Sequence, residues 1–121
     1  MNISTGVDIV EIQRVQKAIE KSEKFLNKVY TKHEIAYCRG KGKQQYKSFA
    51  VRFAAKEAYV KALGTGFSST APPENIEIRN NKEGKPYIYI EGQKIENCDI
   101  SLSHSKEYAV AYVVIYKEEG K

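Results

Sequence analysis

QQYKSFAVRFAAKEAYVKALGTG, residues 44–66, is the stretch on which the fold turns. From Gln44 to Leu63 it holds neither proline nor glycine, and alanine recurs at positions 50, 54, 55, 58 and 62. Gly64 and Gly66 follow directly, so the stretch reads as one long helix with a glycine stop. With each residue turned about 100° from the last, Tyr46, Phe49, Phe53, Val60 and Leu63 make one apolar stripe, and Val51, Ala55, Ala58 and Ala62 a second built of small side chains. A helix apolar on two sides belongs inside a fold.

Working outward, the residues after the helix read as a loop, Thr65 to Pro73, and then as strands: Ile76 to Arg79, Tyr87 to Ile90, Asp99 to Ser103 and Tyr108 to Tyr116. Turn signals at Asn80-Asn81, Glu83-Gly84 and Ser105-Lys106-Glu107 separate several of them and imply antiparallel pairing. Before the helix, Ile3 to Ile9 alternates apolar and polar residues, which predicts a short strand with Ile3, Val7 and Ile9 facing inward and Asp8 facing the other way. Ile12, Val15 and Ile19 then recur at helical spacing, and Phe25, Leu26 and Val29 follow Ser22 as a second short helix. Thr31-Lys32-His33-Glu34 has the form of a capping box at the start of a third, which Gly40 to Lys43 ends. The expected class is α+β: an antiparallel sheet packed against a long buried helix, in a single domain over residues 1–121.

Composition agrees. A chain of 121 residues and 13.7 kDa, 41% apolar and 29% charged, suits one core and excludes a two-domain enzyme. No apolar run is long enough to cross a bilayer, and Met1 to Val10 lacks the form of a signal peptide, so a cytoplasmic protein is expected. Cys38 and Cys98 form no CxxC or Cys/His cluster, which argues against a disulfide framework or a zinc site. Lys and Arg exceed Asp and Glu by 20 to 15, a net charge of +5 that favours polyanionic partners. Nucleic acid, an acidic protein and a phosphorylated small molecule all satisfy it. Arg14, Lys17, Lys21 and Lys24 gather the charge early, at spacings that align several along helical surfaces.

Several residues are candidates to carry chemistry. Glu57 lies within an apolar stripe, where an ionised carboxylate needs a partner. Lys61, one turn later, supplies a structural pair, and Arg52 and Lys56 widen the choice; the alternative is a bound ligand. Asp8 offers a second carboxylate at the end of the first strand, either as a helix cap or as a cation ligand. Two oxygen donors of this kind suit magnesium, which keeps several waters and takes phosphate oxygens. His104, at a strand end, can hold a phosphate oxygen or shuttle a proton. Gly64-Thr65-Gly66 follows a helix instead of opening one, so a C-cap explains it better than a phosphate loop. His33 carries no more than its place in the capping box.

Gly6-Val7-Asp8-Ile9-Val10-Glu11-Ile12, Arg52-Phe53-Ala54-Ala55-Lys56-Glu57-Ala58 running on through Lys61 to Gly66, and Ser101-Leu102-Ser103-His104-Ser105 together resemble the small bacterial 4'-phosphopantetheinyl transferases, the holo-acyl-carrier-protein synthases. Gly84-Lys85-Pro86 and Tyr108 to Ala111 extend the likeness over nearly the whole chain. The resemblance implies transfer of 4'-phosphopantetheine from coenzyme A to a serine of apo acyl carrier protein, with release of adenosine 3',5'-bisphosphate, in fatty acid biosynthesis. It places Asp8 and Glu57 at magnesium-ligand positions and Lys61 and His104 at the pyrophosphate of coenzyme A. Arg52, Lys56, Gly64 and Gly66 would shape the nucleotide pocket. It further implies a homotrimer with active sites between subunits, and carrier-protein docking by Arg14, to which Lys17, Lys21 and Lys24 are added on charge. Ser4 and Val60 depart from the family pattern without touching a metal or phosphate position. The rival from another class, a nucleic-acid-binding module, draws on the charge and the nine tyrosines. Tyr108, Tyr112 and Tyr116, like Tyr87 and Tyr89, fall at even spacing on a strand, which favours sheet packing instead.

Overall fold

The computed structural model describes residues 1–68 and 71–118. The long helix forms as α4, Gln45–Leu63. Ahead of it come β1 (Asn2–Glu11), α1 (Ile12–Lys21), α2 (Glu23–Val29), α3 (Lys32–Arg39) and a 3-10 turn at Gly42–Gln44. After it come a second 3-10 turn at Pro73–Asn75 and five strands: β2 (Ile76–Asn80), β3 (Pro86–Ile90), β4 (Gln93–Lys94), β5 (Cys98–His104) and β6 (Tyr108–Lys117). Of the loop expected between Thr65 and Pro73, residues 69 and 70 lie outside the described residues, as do 119–121.

The strands make two antiparallel sheets of three, where the sequence suggested one. In the larger, β6 is central: β1 pairs with it from Asn2 opposite Lys117 to Glu11 opposite Tyr108, and β5 from Cys98 opposite Ile115 to His104 opposite Ala109. The smaller is ordered β2, β3, β4. One core lies where Ala54, Ala58 and Val60 of α4 meet Ile100, Val113 and Ile115 of the larger sheet and Ile76, Ile78 and Ile88 of the smaller. A second forms between the first half of α4, with Phe49 and Ala50 fully buried, and Ile12, Val15, Ile19, Leu26 and Val29 of α1 and α2. Both apolar stripes are therefore used, although Leu63 stays exposed.

The facing of β1 is the reverse of what alternation predicted. Ile3, Val7 and Ile9 are 63%, 54% and 63% exposed, while Gly6, Asp8 and Val10 turn toward α4. The cause is a close approach of backbones. A Cβ on Gly6 would stand 1.9 Å from the Ala58 carbonyl oxygen and 2.8 Å from the Ala62 nitrogen, so α4 crosses β1 where no side chain fits. Because facing alternates along a strand, Gly6 commits Asp8 to the helix side as well.

Thr31 and Glu34 form the expected reciprocal capping box. Glu34 does more than cap. It is fully buried, and its carboxylate also accepts from the Ile78 amide and from Lys56, tying α3 to β2 and α4. Cys38 and Cys98 are free thiols.

Candidate functional site

Crossing at Gly6 brings Asp8 of β1 onto α4 beside Glu57 and Lys61. The Lys61 ammonium donates to Asp8 Oδ1 and to the Val7 carbonyl, each at 3.0 Å. The sequence offered Glu57 as the lysine's structural partner; the ion pair instead runs to Asp8, with Lys61 about half exposed and Asp8 largely covered. Asp8 Oδ2 is buried without a hydrogen-bond partner, an expensive arrangement for a carboxylate oxygen. Glu57 forms no hydrogen bond or ion pair among the described residues. Burial pushes its carboxyl above the usual value; the Asp8 charge adds to the rise and Lys61 opposes it.

Two crowded carboxylates, one presenting an orphaned oxygen, fit a hard divalent cation. No group of three His, Cys, Asp or Glu gathers among the described residues, so the remaining ligands would be waters or oxygens brought by a substrate. That donor set suits magnesium and not zinc, which prefers nitrogen and sulfur.

His104 stands elsewhere. It ends β5 at the rim of an open recess of about 360 Å³ with Lys41, Gln44, Lys47, Ser48 and Val51. The register places it opposite Ala109, two residues along from the row that joins Asp8, Ala111 and Leu102. Two strand spacings across and two residues along separate it from Asp8, about 12 Å of sheet. One chain therefore presents two half-sites, an acidic one with Lys61 and a basic one around His104.

Arg52 and Lys56 turn away from Glu57. Lys56 is fully buried, and its three ammonium protons go to Glu34 Oε1 and the Val29 carbonyl at 2.6 Å and to the Pro73 carbonyl at 3.0 Å. Burial draws its pKa below the ordinary lysine value, opposed by Glu34. With no donor left, any part it has in a nucleotide pocket is indirect. Arg52 is also buried, its guanidinium stacked 4.3 Å from the Tyr37 ring centre and bonded to Ser48 and Asn80, with Nε unpartnered. Gly64 caps α4 in the left-handed region at φ 82°, and the amides of Gly64, Thr65 and Gly66 all donate back to the Val60 carbonyl. They serve the helix end, as the C-cap reading expected.

One cavity was not foreseen. Beside the acidic half-site, Ile9, Val10, Val15, Phe25 and Phe53 enclose about 330 Å³, with Arg14 among its lining. Ile9 follows Asp8, and Phe53 lies one helical turn before Glu57, so the cavity adjoins the carboxylates. Phe25 and Phe53, members of the two apolar faces, are only partly buried, and their rings stand 6.3 Å apart in its wall.

Comparisons with known proteins converge. Residues 4–113 match the family described as the 4'-phosphopantetheinyl transferase superfamily. A holo-[acyl-carrier-protein] synthase of Chloroherpeton thalassium is 45% identical over 118 residues, covering 93% of this chain and 97% of that one. The crystal structure of a holo-(acyl-carrier-protein) synthase from Bacillus anthracis in complex with CoA (3',5'-ADP) is similar at a TM-score of 0.80 and 39% identity, covering 93% of this chain and 94% of that one. That of the Helicobacter pylori synthase in complex with coenzyme A is similar at 0.81 and 33%, covering 93% and 99%.

Proposed function

The chain belongs to the 4'-phosphopantetheinyl transferase superfamily, among its holo-[acyl-carrier-protein] synthases, and from that premise we propose how it works. It moves 4'-phosphopantetheine from coenzyme A to a serine hydroxyl of apo acyl carrier protein, releases adenosine 3',5'-bisphosphate, and depends on magnesium held by Asp8 and Glu57. The observation that carries this is the buried, unpartnered Asp8 Oδ2 beside a Glu57 whose charge is disfavoured by burial.

When bound, magnesium supplies charge neutralisation at the pyrophosphate. The side chains do the rest. Lys61, anchored by Val7 and Asp8, keeps one ammonium proton free on its exposed side and lays it against a pyrophosphate oxygen, where negative charge grows as the serine oxygen attacks the pantetheine phosphorus and the phosphoanhydride bond to the departing nucleotide breaks. His104, with Lys41 and Lys47, binds nucleotide phosphate at the basic half-site. Arg52 acts on that half-site through Ser48, which lines it; Lys56 ties α4 to α3, and Gly64 and Gly66 end α4 just after Lys61.

A homotrimer reconciles the two half-sites, one subunit's acidic half meeting the next subunit's basic half. The outward face of the larger sheet supports association: Ile3 lies opposite Tyr116 and Val7 opposite Tyr112, all four exposed. Sedimentation as a fully active monomer would remove the trimer.

Carrier protein docks over the Arg14 cavity, an apolar residue of its own filling the hollow and its acidic groups meeting Arg14, Lys17, Lys21 and Lys24, all exposed on α1 and the start of α2. The reading includes cytoplasmic action by one domain spanning 1–121; among the described residues no helix is long and apolar enough to cross a membrane. Intact-mass measurement of apo carrier protein incubated with the chain, coenzyme A and magnesium tests the function. Expected is a gain of one phosphopantetheine; an unchanged mass, with tight binding in a parallel nucleic-acid titration, would favour the rival class.

A further inference from the structure

On the outward face of the smaller sheet, the register sets Glu77 opposite Tyr89, Arg79 opposite Tyr87 and Tyr89 opposite Lys94. Arg79, Lys94, Asn81 and both tyrosines, joined by His33 from the start of α3, line an open recess of about 330 Å³. Asp8, Glu57, Lys61 and His104 do not line it. The two cations rest on the rings: the Arg79 guanidinium carbon lies 4.5 Å from the Tyr89 centre and the Lys94 nitrogen 3.9 Å from the Tyr87 centre. Stacking of this kind holds a cation in place without neutralising it.

The hydrogen bonds around the recess leave it rich in donors. Glu77 takes Arg79 Nε and the Thr31 hydroxyl, so the two terminal guanidinium nitrogens have no acceptor among the described residues. The Glu77 carboxylate is the Arg79 ion-pair partner, whereas Lys94 forms no ion pair among the described residues. Asn81 spends its side-chain oxygen on the Lys85 amide, which leaves its NH2 as a donor. No carboxylate lines the recess. A forked guanidinium edge, an ammonium, an amide and an imidazole thus line a hollow with room for a phosphate-bearing small molecule, mounted on a hydrogen-bonded sheet that fixes their spacing.

We propose that this recess is an anion site, separate from the reaction centre, that takes a phosphate-bearing small molecule. It stands whether or not the transferase mechanism above is right in detail. Two sources share the chemistry: inorganic phosphate or pyrophosphate, and a nucleotide phosphate such as those of coenzyme A.

The test is calorimetric titration of inorganic pyrophosphate into the full chain, wild type beside Lys94→Gln and Arg79→Gln. Lys94 is exposed on a two-residue strand, so its variant folds even if loss of the Arg79 pair disturbs the sheet. Expected are two classes of site. Lys94→Gln weakens one class about tenfold, the loss of one charge-assisted contact, and leaves the other class and the steady-state transfer rate unchanged. Lys61→Ala moves only the other class. Repeating the series with adenosine 3',5'-bisphosphate identifies the source: tighter binding than pyrophosphate at the recess assigns it to a nucleotide, weaker binding to the inorganic ion. A single class of site, a second class indifferent to Lys94→Gln, or displacement from the recess by a glutamate-rich peptide at lower concentration than pyrophosphate would each overturn the proposal.

Discussion

Gly6→Ala puts the smallest possible side chain at the crossing of β1 and α4. Its Cβ would sit 1.9 Å from the Ala58 carbonyl oxygen and within 3.0 Å of the Ala62 nitrogen, and both are backbone atoms that no rotamer change can move. An ordinary carbon–oxygen contact is about 3.4 Å, so strand and helix must part by about 1.5 Å. That stretches the 3.0 Å bond from Lys61 to the Val7 carbonyl beyond hydrogen-bond range and carries Asp8 away from Glu57. Overpacking of this sort costs about 1–3 kcal/mol of stability. Misplacement of reacting groups by about 1 Å costs about a hundredfold in rate. Thermal melting and transfer to apo carrier protein, measured on the same preparation, should both fall. Gly40→Ala is the control, since its added Cβ finds nothing nearer than 3.4 Å. A Gly6→Ala protein that melts and turns over like wild type would refute the link between this crossing and the site.

Glu57→Gln should abolish transfer yet stabilise the chain in chelator at pH 7. A carboxyl whose pKa is raised by folding holds its proton more tightly folded than unfolded, so stability drops as pH rises from the ordinary 4.5 through the raised value; a variant that melts below wild type at pH 7, or a gap that does not shrink below pH 4, would contradict this. Arg14→Glu should raise the KM for carrier protein, leave that for coenzyme A nearly unchanged, and lose its effect as salt is added. One exposed pair is worth about 0.2–1 kcal/mol and reversal adds repulsion; an equal rise in both constants would move Arg14 to the nucleotide. Lys56→Met should cost about 3–5 kcal/mol by leaving Glu34 charged and buried, with part recovered in Glu34→Gln/Lys56→Met; denaturant titration showing a neutral single variant would dismiss the pair as a structural tie.

What the sequence disclosed most faithfully were the features with local causes. The alanine-rich run without glycine or proline gave α4 to within a residue, Thr31 and Glu34 gave the capping box, and Ser105 to Glu107 gave the β5–β6 turn. Glu57 was legible as a carboxylate in an apolar stripe, whereas Asp8 was expected on the polar face of its strand and lies instead on the helix side, near enough to Glu57 to raise its pKa. Facing of β1 was misread because alternation shows which residues share a face but not which face is covered. The odd-numbered residues are the apolar ones, but Gly6 is the one the helix can touch, and that constraint comes from α4, about fifty residues away in the chain. Lys56 and Glu34 were missed as a pair for the same reason, being joined across 22 positions. Division of the strands into two sheets likewise depends on long-range pairing of β1 with β6, for which no turn signal exists.

The central claim is transfer that depends on a cation at Asp8 and Glu57, and intact-mass spectrometry of apo carrier protein tests it most directly. Wild type with coenzyme A should add one phosphopantetheine in magnesium, none after chelation, and one again when magnesium is restored, while Asp8→Asn adds none under any of the three conditions and still melts cooperatively. A mass gain that survives chelation, or an Asp8→Asn protein that modifies the carrier at the wild-type rate, would contradict the account.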